Sequence, residues 1–408
     1  MSPALPDDAG YGCRPDWPQL SNPETHGRLE PDVRFLRKVF NNGDLVMPDG
    51  ETVRFWGFED ETSGPTLPSP TMRVRRGQLV HVVLRPSTSV HTIHHHGIEP
   101  DPRNDGVGHT SFEVGSEYTY QFRPSRAGTF FYHCHVNTAL HVQMGMYGAL
   151  IVDPPEGPGR VFEGGPRYDV ERVWATSMVD PRWHEMSHGA GLCGGDAGLN
   201  RFDPKYFMIN GVAHPQTRTS ERVKIDARAG QTILLRLVNA GYFPQRYRFG
   251  GLPTEVVASD GVPLVDPFAA DSLLLAPAER YDCLIRPTRA GKFTIAVEFE
   301  DWIYRDVVGV VETTVTVAEG PPPEPGTPPE LDPGPTPLNQ GDAPSPSASS
   351  LEGASGTEAP GAVTGSSHGP AHPVRRPAKK PKKKKPKKKK ARKKAPRKPR
   401  RRRGRGRR

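Results

Sequence analysis

The 408-residue chain is predicted to be all-β: two Greek-key β-sandwich domains, followed by a disordered Pro-rich linker and a Lys/Arg-rich tail. Three observations predict this. Between about residues 30 and 318, short alternating β-branched segments recur between Gly, Pro and Asp, the pattern of an antiparallel sandwich or barrel. A segment pair repeats: RVRRGQLVHVVLRP with AGTFFYHCHV in the first half parallels ARAGQTILLRLVNA with AGKFTIAVEF in the second. Composition then changes. No Phe, Trp or Tyr follows Tyr304, and residues 321–374 hold 14 Pro, 8 Gly and 7 Ser in 54 positions.

Taken in order, residues 1–30 read as an extended arm. The first sandwich is expected over 31–155, built from TMRVRRGQLVHVVLRP (71–86), EYTYQFRP, GTFFYHCHV and GALIVDPP. A connection at 156–167 leads to the second, over 168–318, built from RVKIDARAGQTILLRLVNA, RYDCLIRP, KFTIAVEFE and GVVETTVTVAE. Residues 319–374 cannot bury enough apolar surface to offset the entropy of ordering, so disorder is expected from about Gly320. Residues 375–408 carry 24 Lys/Arg in 34 positions and no acid, leaving 31 bases against 46 acids, a net −15, for residues 1–374.

That division excludes a globular basic protein. The tail is expected to bind polyanions such as nucleic acid through counterion release, without sequence preference because it has no aromatic residue for stacking. Docking onto the acidic body is its alternative use. Four Cys are too few for a disulfide scaffold. Cys13 and Cys193 lie in irregular segments and either pair or stay free, whereas Cys283 reads as a small buried hydrophobe. No apolar run reaches membrane-spanning length. The start, MSPALPDDAGYGC, has acids where a signal peptide would have a basic region, so either export by that route is not expected or the true start lies elsewhere.

The chemistry lies in the histidines. Eight of the chain's 15 fall within residues 91–141. Seven belong to two segments, His91-Thr-Ile-His94-His95-His96-Gly97 and Tyr132-His133-Cys134-His135, the latter continuing to His141 and Met146. Alternate strand residues face opposite sides. His94 and His96 therefore share one face, as do His133 and His135, while His91 and Cys134 lie opposite. If the two strands are neighbours, one side carries four imidazoles. The other carries His91 and Cys134, joined by His141 and Met146. Two His, one Cys and a weak thioether are the ligand set of a blue copper centre. Four imidazoles suit copper or zinc with positions left open, and a nearby Cys-His-Met set favours copper, since Met is a poor zinc ligand. Met144 competes with Met146 for the axial position. His95 falls on the thiol face and reads as a residue that supports the ligands or packs beside them rather than as a ligand, and His109 as a loop residue near the site. Asp101 and Asp105 suit either proton relay or turn chemistry. His184 and His188 read as a solvent-facing pair.

These motifs resemble the multicopper oxidases, chains of cupredoxin domains. HTIHHHG is similar to the family's H-x-x-H-x-H-G motif, and GTFFYHCHVNTALHVQMGMYGALIVDP to its H-C-H…H…M signature. The resemblance implies that His91, Cys134, His141 and Met146 hold a type 1 copper, with Met146 preferred as axial ligand. It implies that His94, His96, His133 and His135 belong to a type 2/type 3 copper cluster that reduces dioxygen to water. Electrons from a phenol or a metal ion would pass through Cys134 to His133 and His135, the catalytic trio. The Cys134-to-His141 spacing is closer to that of copper nitrite reductases, one alternative, but His94 stands where those enzymes carry Asp. A non-enzymatic cupredoxin that transfers electrons or binds copper is the other. The second half resembles a cupredoxin domain that has lost its ligands: Tyr247-Arg248-Phe249-Gly250 stands in place of H-x-H-G, and Ala296-Val297-Glu298 in place of H-C-H. A full cluster takes eight His, and four are visible. The rest would come from the same face of another subunit in a homo-oligomer, from a partner chain, or in part from His184 and His188. The family implies an extracytoplasmic location.

Overall fold

The computed structural model describes residues 19–20 and 29–338, apart from 88, 109–111, 193–195, 322–323 and 325. Cys13, Cys193, His109 and the Lys/Arg tail lie outside the described residues. Among the described residues, no helix is long and apolar enough to cross a membrane.

Among the described residues strands dominate, with two short α-helices, Thr138–Gln143 and Pro181–His184. In the first half, one sheet runs in the order Ser69–Arg75, Tyr147–Asp153, Gly128–His133, His94–His96. Its partner runs Thr52–Glu59, Val33–Val46, Val80–Arg85, Tyr118–Phe122. Between them, side chains such as Met72, Val82, Tyr120, Phe130 and Leu150 form a closed apolar core, because alternate positions on each strand are apolar. The second half repeats the plan with a seven-stranded and a five-stranded sheet around Trp174, Leu235, Tyr247, Phe249 and Val297.

Pairing is mixed rather than purely antiparallel, and the parallel pairs carry the internal repeat. Val33–Val46 runs parallel to Val80–Arg85, and Ser69–Arg75 to Tyr147–Asp153. Val170–Val179 with Ile233–Asn239, and Ile225–Arg228 with Val307–Ala318, are their second-half counterparts. Alternation in sequence reports strand faces but not strand direction, so this was not legible beforehand.

A buried ionic network crosses between the halves. Arg73 forks onto Asp153 at 2.7 Å and reaches Glu171 at 2.6 Å. Arg236, fully buried, meets Glu171 at 2.7 Å and Asp282 at 3.4 Å, and Thr129 donates to Asp282. Burial alone would raise the Glu171 carboxyl, but the charges of Arg236 and Arg73 outweigh it and hold it at about 2. Nearby, the backbones at Gly128 and Gly261 touch so closely that a Cβ on Gly128 would lie 2.6 Å from the Gly261 Cα.

The ordered body extends beyond Ala318, which corrects the expected onset of disorder near Gly320. The Glu330 N–H and C=O bond the Asp169 carbonyl and the Glu171 N–H, both at 2.8 Å, and Asp332 accepts from the Val173 N–H at 2.9 Å. Leu338 then enters the first half beside Phe40, its N–H bonded to the Pro65 carbonyl. Packing there is tight enough that a Cβ on Gly43 would sit 2.7 Å from Leu338. Pro-rich composition conceals this strap because its order comes from bonds to the body, not from side-chain periodicity.

Two predictions follow the packing. Arg236→Ala leaves Glu171 and Asp282 short of a buried partner and is expected to cost about 3–5 kcal/mol in chemical denaturation; a loss below about 1 kcal/mol contradicts the network. Leu338→Ala is expected to cost about 2–3 kcal/mol, whereas a free linker would show no change.

Candidate metal centres

The two His-rich segments are neighbours. Strand His94–His96 pairs antiparallel with Gly128–His133, His94 opposite His133 and His96 opposite Phe131. The chain is steered into this pairing by small contacts. The His135 N–H bonds the Thr92 hydroxyl at 3.0 Å, and the Ile93 N–H bonds the Tyr120 hydroxyl at 3.2 Å. Gly106, at φ +71°, lets the 101–106 turn pass against the same strand, where a Cβ would lie 1.8 Å from the Ile93 carbonyl oxygen.

On one face, the rings of His94, His96, His133 and His135 form a quartet. His94 lies 5.3 Å from His96, 5.2 Å from His133 and 5.5 Å from His135, centroid to centroid. His133 lies 5.8 Å from His135. The tautomers of His94 and His133 are set from behind. His94 Nδ1 is 2.8 Å from the Asp105 carbonyl oxygen and 3.2 Å from its carboxylate, and His133 Nδ1 is 2.9 Å from the Cys134 carbonyl. Both Nδ1 atoms thus carry the proton, and each Nε2 keeps its lone pair; His133 Nε2 ends 3.3 Å from His96 Nδ1. A cleft of about 430 Å³ opens on His94 and His96, with Arg126, Asp105, and Asp260 and Arg280 of the second half on its walls.

On the other face, the Cys134 sulfur lies 3.2 Å from His141 Nδ1 and 3.6 Å from His91 Nδ1. The helix Thr138–Gln143 carries His141 inward; it begins at Asn137 in the left-handed region, a conformation Asn tolerates. Met146 is fully buried in the same apolar cluster as Cys134, and its carbonyl accepts the Cys134 N–H at 3.0 Å. Met144 is buried as well, its carbonyl taken by the Trp56 N–H.

Electrostatics suit a cation on both faces. Burial lowers His133 and His141 well below the usual imidazole range. Burial, reinforced by Arg280 and neighbouring His94 and His135, puts His96 at about 3. These rings are neutral at physiological pH, the state a metal ligand requires. Burial pushes the Cys134 thiol up to about 12, an environment with no cation of its own, and a bound metal ion reverses that preference. Convergent neutral nitrogens with proton positions fixed from behind fit copper.

Other expectations resolve individually. His95 is fully buried against Phe122 at 4.5 Å and Tyr120 at 5.5 Å, the packing role of its two expected ones. Asp101 caps its own turn through the Arg103 N–H and the Asn104 side chain, while Asp105 faces His94. Cys283 is a buried free thiol in the second core. His184 and His188 are not a solvent-facing pair, and neither joins the quartet. His184 is buried, Nδ1 2.6 Å from the Arg54 carbonyl and Nε2 3.1 Å from the Gln143 amide. His188 arrives on the thiol face, 4.4 Å from the His141 ring and 5.0 Å from the His91 ring. Its place there went unread because it sits 47 residues beyond His141 in an irregular segment. In the second half, the strands matching the quartet pair Arg248 opposite Ala296 and carry Arg246–Glu300 and Arg248–Glu298 ion pairs at 2.7 and 2.9 Å. Among the described residues, the candidate metal-holding groups are His91-His141-His188 and His94-His96-His133.

Paired β-sandwiches with a Cys-His pocket backed by a His quartet define a cupredoxin-type copper protein. Family profiles described as multicopper oxidase match residues 42–157 and 174–319, and the chain belongs to the multicopper oxidase family, whose members bind type 1, type 2 and type 3 copper. It is 28% identical to copper resistance protein A of Pseudomonas syringae pv. tomato over 62% of this chain and 46% of that protein. It is 30% identical to the multicopper oxidase MmcO of Mycobacterium tuberculosis over 56% of this chain and 48% of that one. The chain therefore spans about half the length of these curated relatives. The blue copper oxidase of Nitrosomonas europaea superposes with TM-score 0.57 at 27% identity, covering 70% of this chain and 86% of that one. The copper nitrite reductase of the same organism, at 20% identity and TM-score 0.55, shares the fold.

Asp105→Ala removes the carboxylate behind His94 but not the backbone carbonyl. It is expected to weaken copper binding at the quartet by about tenfold and to leave the Cys134 pocket unchanged, as followed by copper titration with optical detection.

Proposed function

We propose that this chain is a multicopper oxidase-type oxidoreductase. It takes electrons singly from a reducing substrate, a phenol or a metal ion, on the Cys134 face and delivers them to the quartet face, where dioxygen is reduced to water. The observation that carries this is the placement of Cys134 between His133 and His135, with its sulfur 3.2 Å from His141 while its neighbours' rings join the opposite quartet. In this reading His91, Cys134, His141 and Met146 hold the type 1 copper, and His94, His96, His133 and His135 hold type 2/type 3 copper. Copper, when bound, supplies the one-electron redox steps and the reactivity toward dioxygen.

The chain's own residues set the conditions. The Asp105 and Cys134 carbonyls hold His94 and His133 in the tautomer that aims Nε2 inward. Tyr120, Phe112, Val136 and Leu140 keep water from the thiol pocket. The backbone of residues 133–135 is the covalent path between the faces. Because the second half offers Arg–Glu pairs in place of histidines, the remaining imidazoles would come from another copy presenting the same quartet face, or from a partner chain. The tail adds a non-specific, salt-sensitive affinity for polyanions such as nucleic acid.

Four rather than eight His support a second reading, a non-enzymatic cupredoxin that transfers electrons or binds copper. Copper content, mass in solution and oxygen uptake separate the two. An oligomer with more than two coppers per chain that consumes oxygen supports the oxidase. A blue monomer with about one copper and no uptake supports the carrier, and nitrite-dependent NO release would identify a nitrite reductase. Cys134→Ser is expected to abolish the intense blue absorption while the quartet still binds copper; surviving colour would refute the ligand assignment.

A further inference from the structure

Exposed apolar side chains are concentrated rather than scattered on this molecule. Of the eleven large hydrophobic residues exposed among the described residues, six lie between Trp302 and Val310, around the turn that joins strands Gly291–Glu300 and Val307–Ala318. Ile303 is 78% exposed, Tyr304 77% and Trp302 50%, and Val307, Val308 and Val310 follow on the strand. Such a concentration marks contact with a partner or a membrane. The turn is built to hold these residues outward. The Asp301 N–H bonds the Asp306 carbonyl at 2.8 Å, and the Arg305 N–H bonds the Asp301 carbonyl at 3.1 Å. Asp301 Oδ1 accepts the Ile303 and Tyr304 N–H groups, both at 2.8 Å. Arg305 pairs with Glu300 at 2.9 Å, and the Trp302 indole N–H bonds the Tyr242 carbonyl. The donors of Ile303, Tyr304 and Arg305 are thus satisfied within the turn, as an apolar medium demands. A turn already ordered in this way loses little conformational freedom on docking.

Shape and residue type select the occupant. Three consecutive exposed residues at a hairpin end make a tip rather than a slot, and a fluid bilayer accommodates a tip without a matching pocket. Trp and Tyr favour the membrane–water interface, and Ile and Val its acyl side. Nucleic acid leaves the aliphatic residues unexplained, since only the two aromatic rings could stack on bases. The charge of the lipid follows from residues 375–408, whose 24 Lys/Arg outweigh the net −15 of residues 1–374 and attract an anionic surface. An apolar element and a polybasic segment together give stable attachment where either alone is marginal.

We propose that the 301–306 turn seats Trp302, Ile303 and Tyr304 in the interfacial layer of an anionic lipid bilayer, with the Lys/Arg-rich tail on the lipid headgroups. This rests on the tail's affinity for polyanions stated above, and it names lipid as the polyanion that the body also contacts.

The test is co-sedimentation of the copper-loaded full chain with vesicles of phosphatidylcholine, alone or with about 30% phosphatidylglycerol, at about 0.15 M salt. Wild type is expected to bind the anionic vesicles. The triple variant Trp302→Ser, Ile303→Ser, Tyr304→Ser binds them about tenfold or more weakly, while the two proteins bind duplex DNA equally. Brominated lipid is expected to quench wild-type fluorescence and to do so far less in Trp302→Phe, which still sediments with vesicles. Equal vesicle binding by wild type and the triple variant overturns the contact, as does quenching that is the same in wild type and Trp302→Phe. An oligomer that the triple variant converts to monomers, with no quenching by brominated lipid, assigns the tip to a second copy and overturns it too. Hairpin-dependent binding that ignores the phosphatidylglycerol fraction overturns the tail's share of the contact. If wild type binds neither anionic vesicles nor DNA, the polyanion reading itself falls.

Discussion

The period-two alternation of an extended chain governs everything at this site. Because successive side chains on a strand face opposite ways, Tyr132-His133-Cys134-His135 cannot place its thiol and its imidazoles in one pocket. Two chemically different centres follow, back to back and separated by a few backbone bonds. The strand His94–His96 obeys the same rule across its pairing with Gly128–His133, doubling the imidazoles on one face. One chain segment thus builds a sulfur-containing pocket and a nitrogen-only pocket without added structural elements.

The remainder of the fold serves to hold that segment still. Apolar packing between the two first-half sheets closes off the thiol, and the Arg73, Glu171, Arg236 and Asp282 network fixes the second half against the strand that leads into His133. The second half then contributes from both sides. Arg280 and Asp260 wall the quartet cleft, while His188 reaches the thiol pocket. Its corresponding strands carry the Arg246–Glu300 and Arg248–Glu298 pairs, which satisfy one another's charge.

Much of this was legible in the sequence, for reasons that also explain what was not. His94, His96, His133 and His135 could be placed on one face, and Cys134 with His91 on the other, because strand parity is a local property. His141 followed from proximity along the chain, whereas proximity left Met144 and Met146 both open and only the family resemblance favoured Met146. That the second half's strands around Tyr247 and Val297 carry no His was readable because it is a property of the sequence itself. His188 escaped because its position depends on an irregular segment folding back across the half-to-half boundary. The strap at residues 326–338 escaped because its order comes from backbone bonds to Asp169, Glu171 and Val173, which no side-chain pattern records. Parallel strand pairing escaped for the same reason.

Pulse radiolysis on the copper-loaded protein probes the back-to-back arrangement most directly. One electron placed on the Cys134 centre should bleach its visible absorption, which then recovers in a first-order step whose rate is independent of protein concentration, as the electron crosses to the quartet. Recovery that scales with protein concentration, or no recovery at all, would mean that the two faces are not connected through residues 133–135.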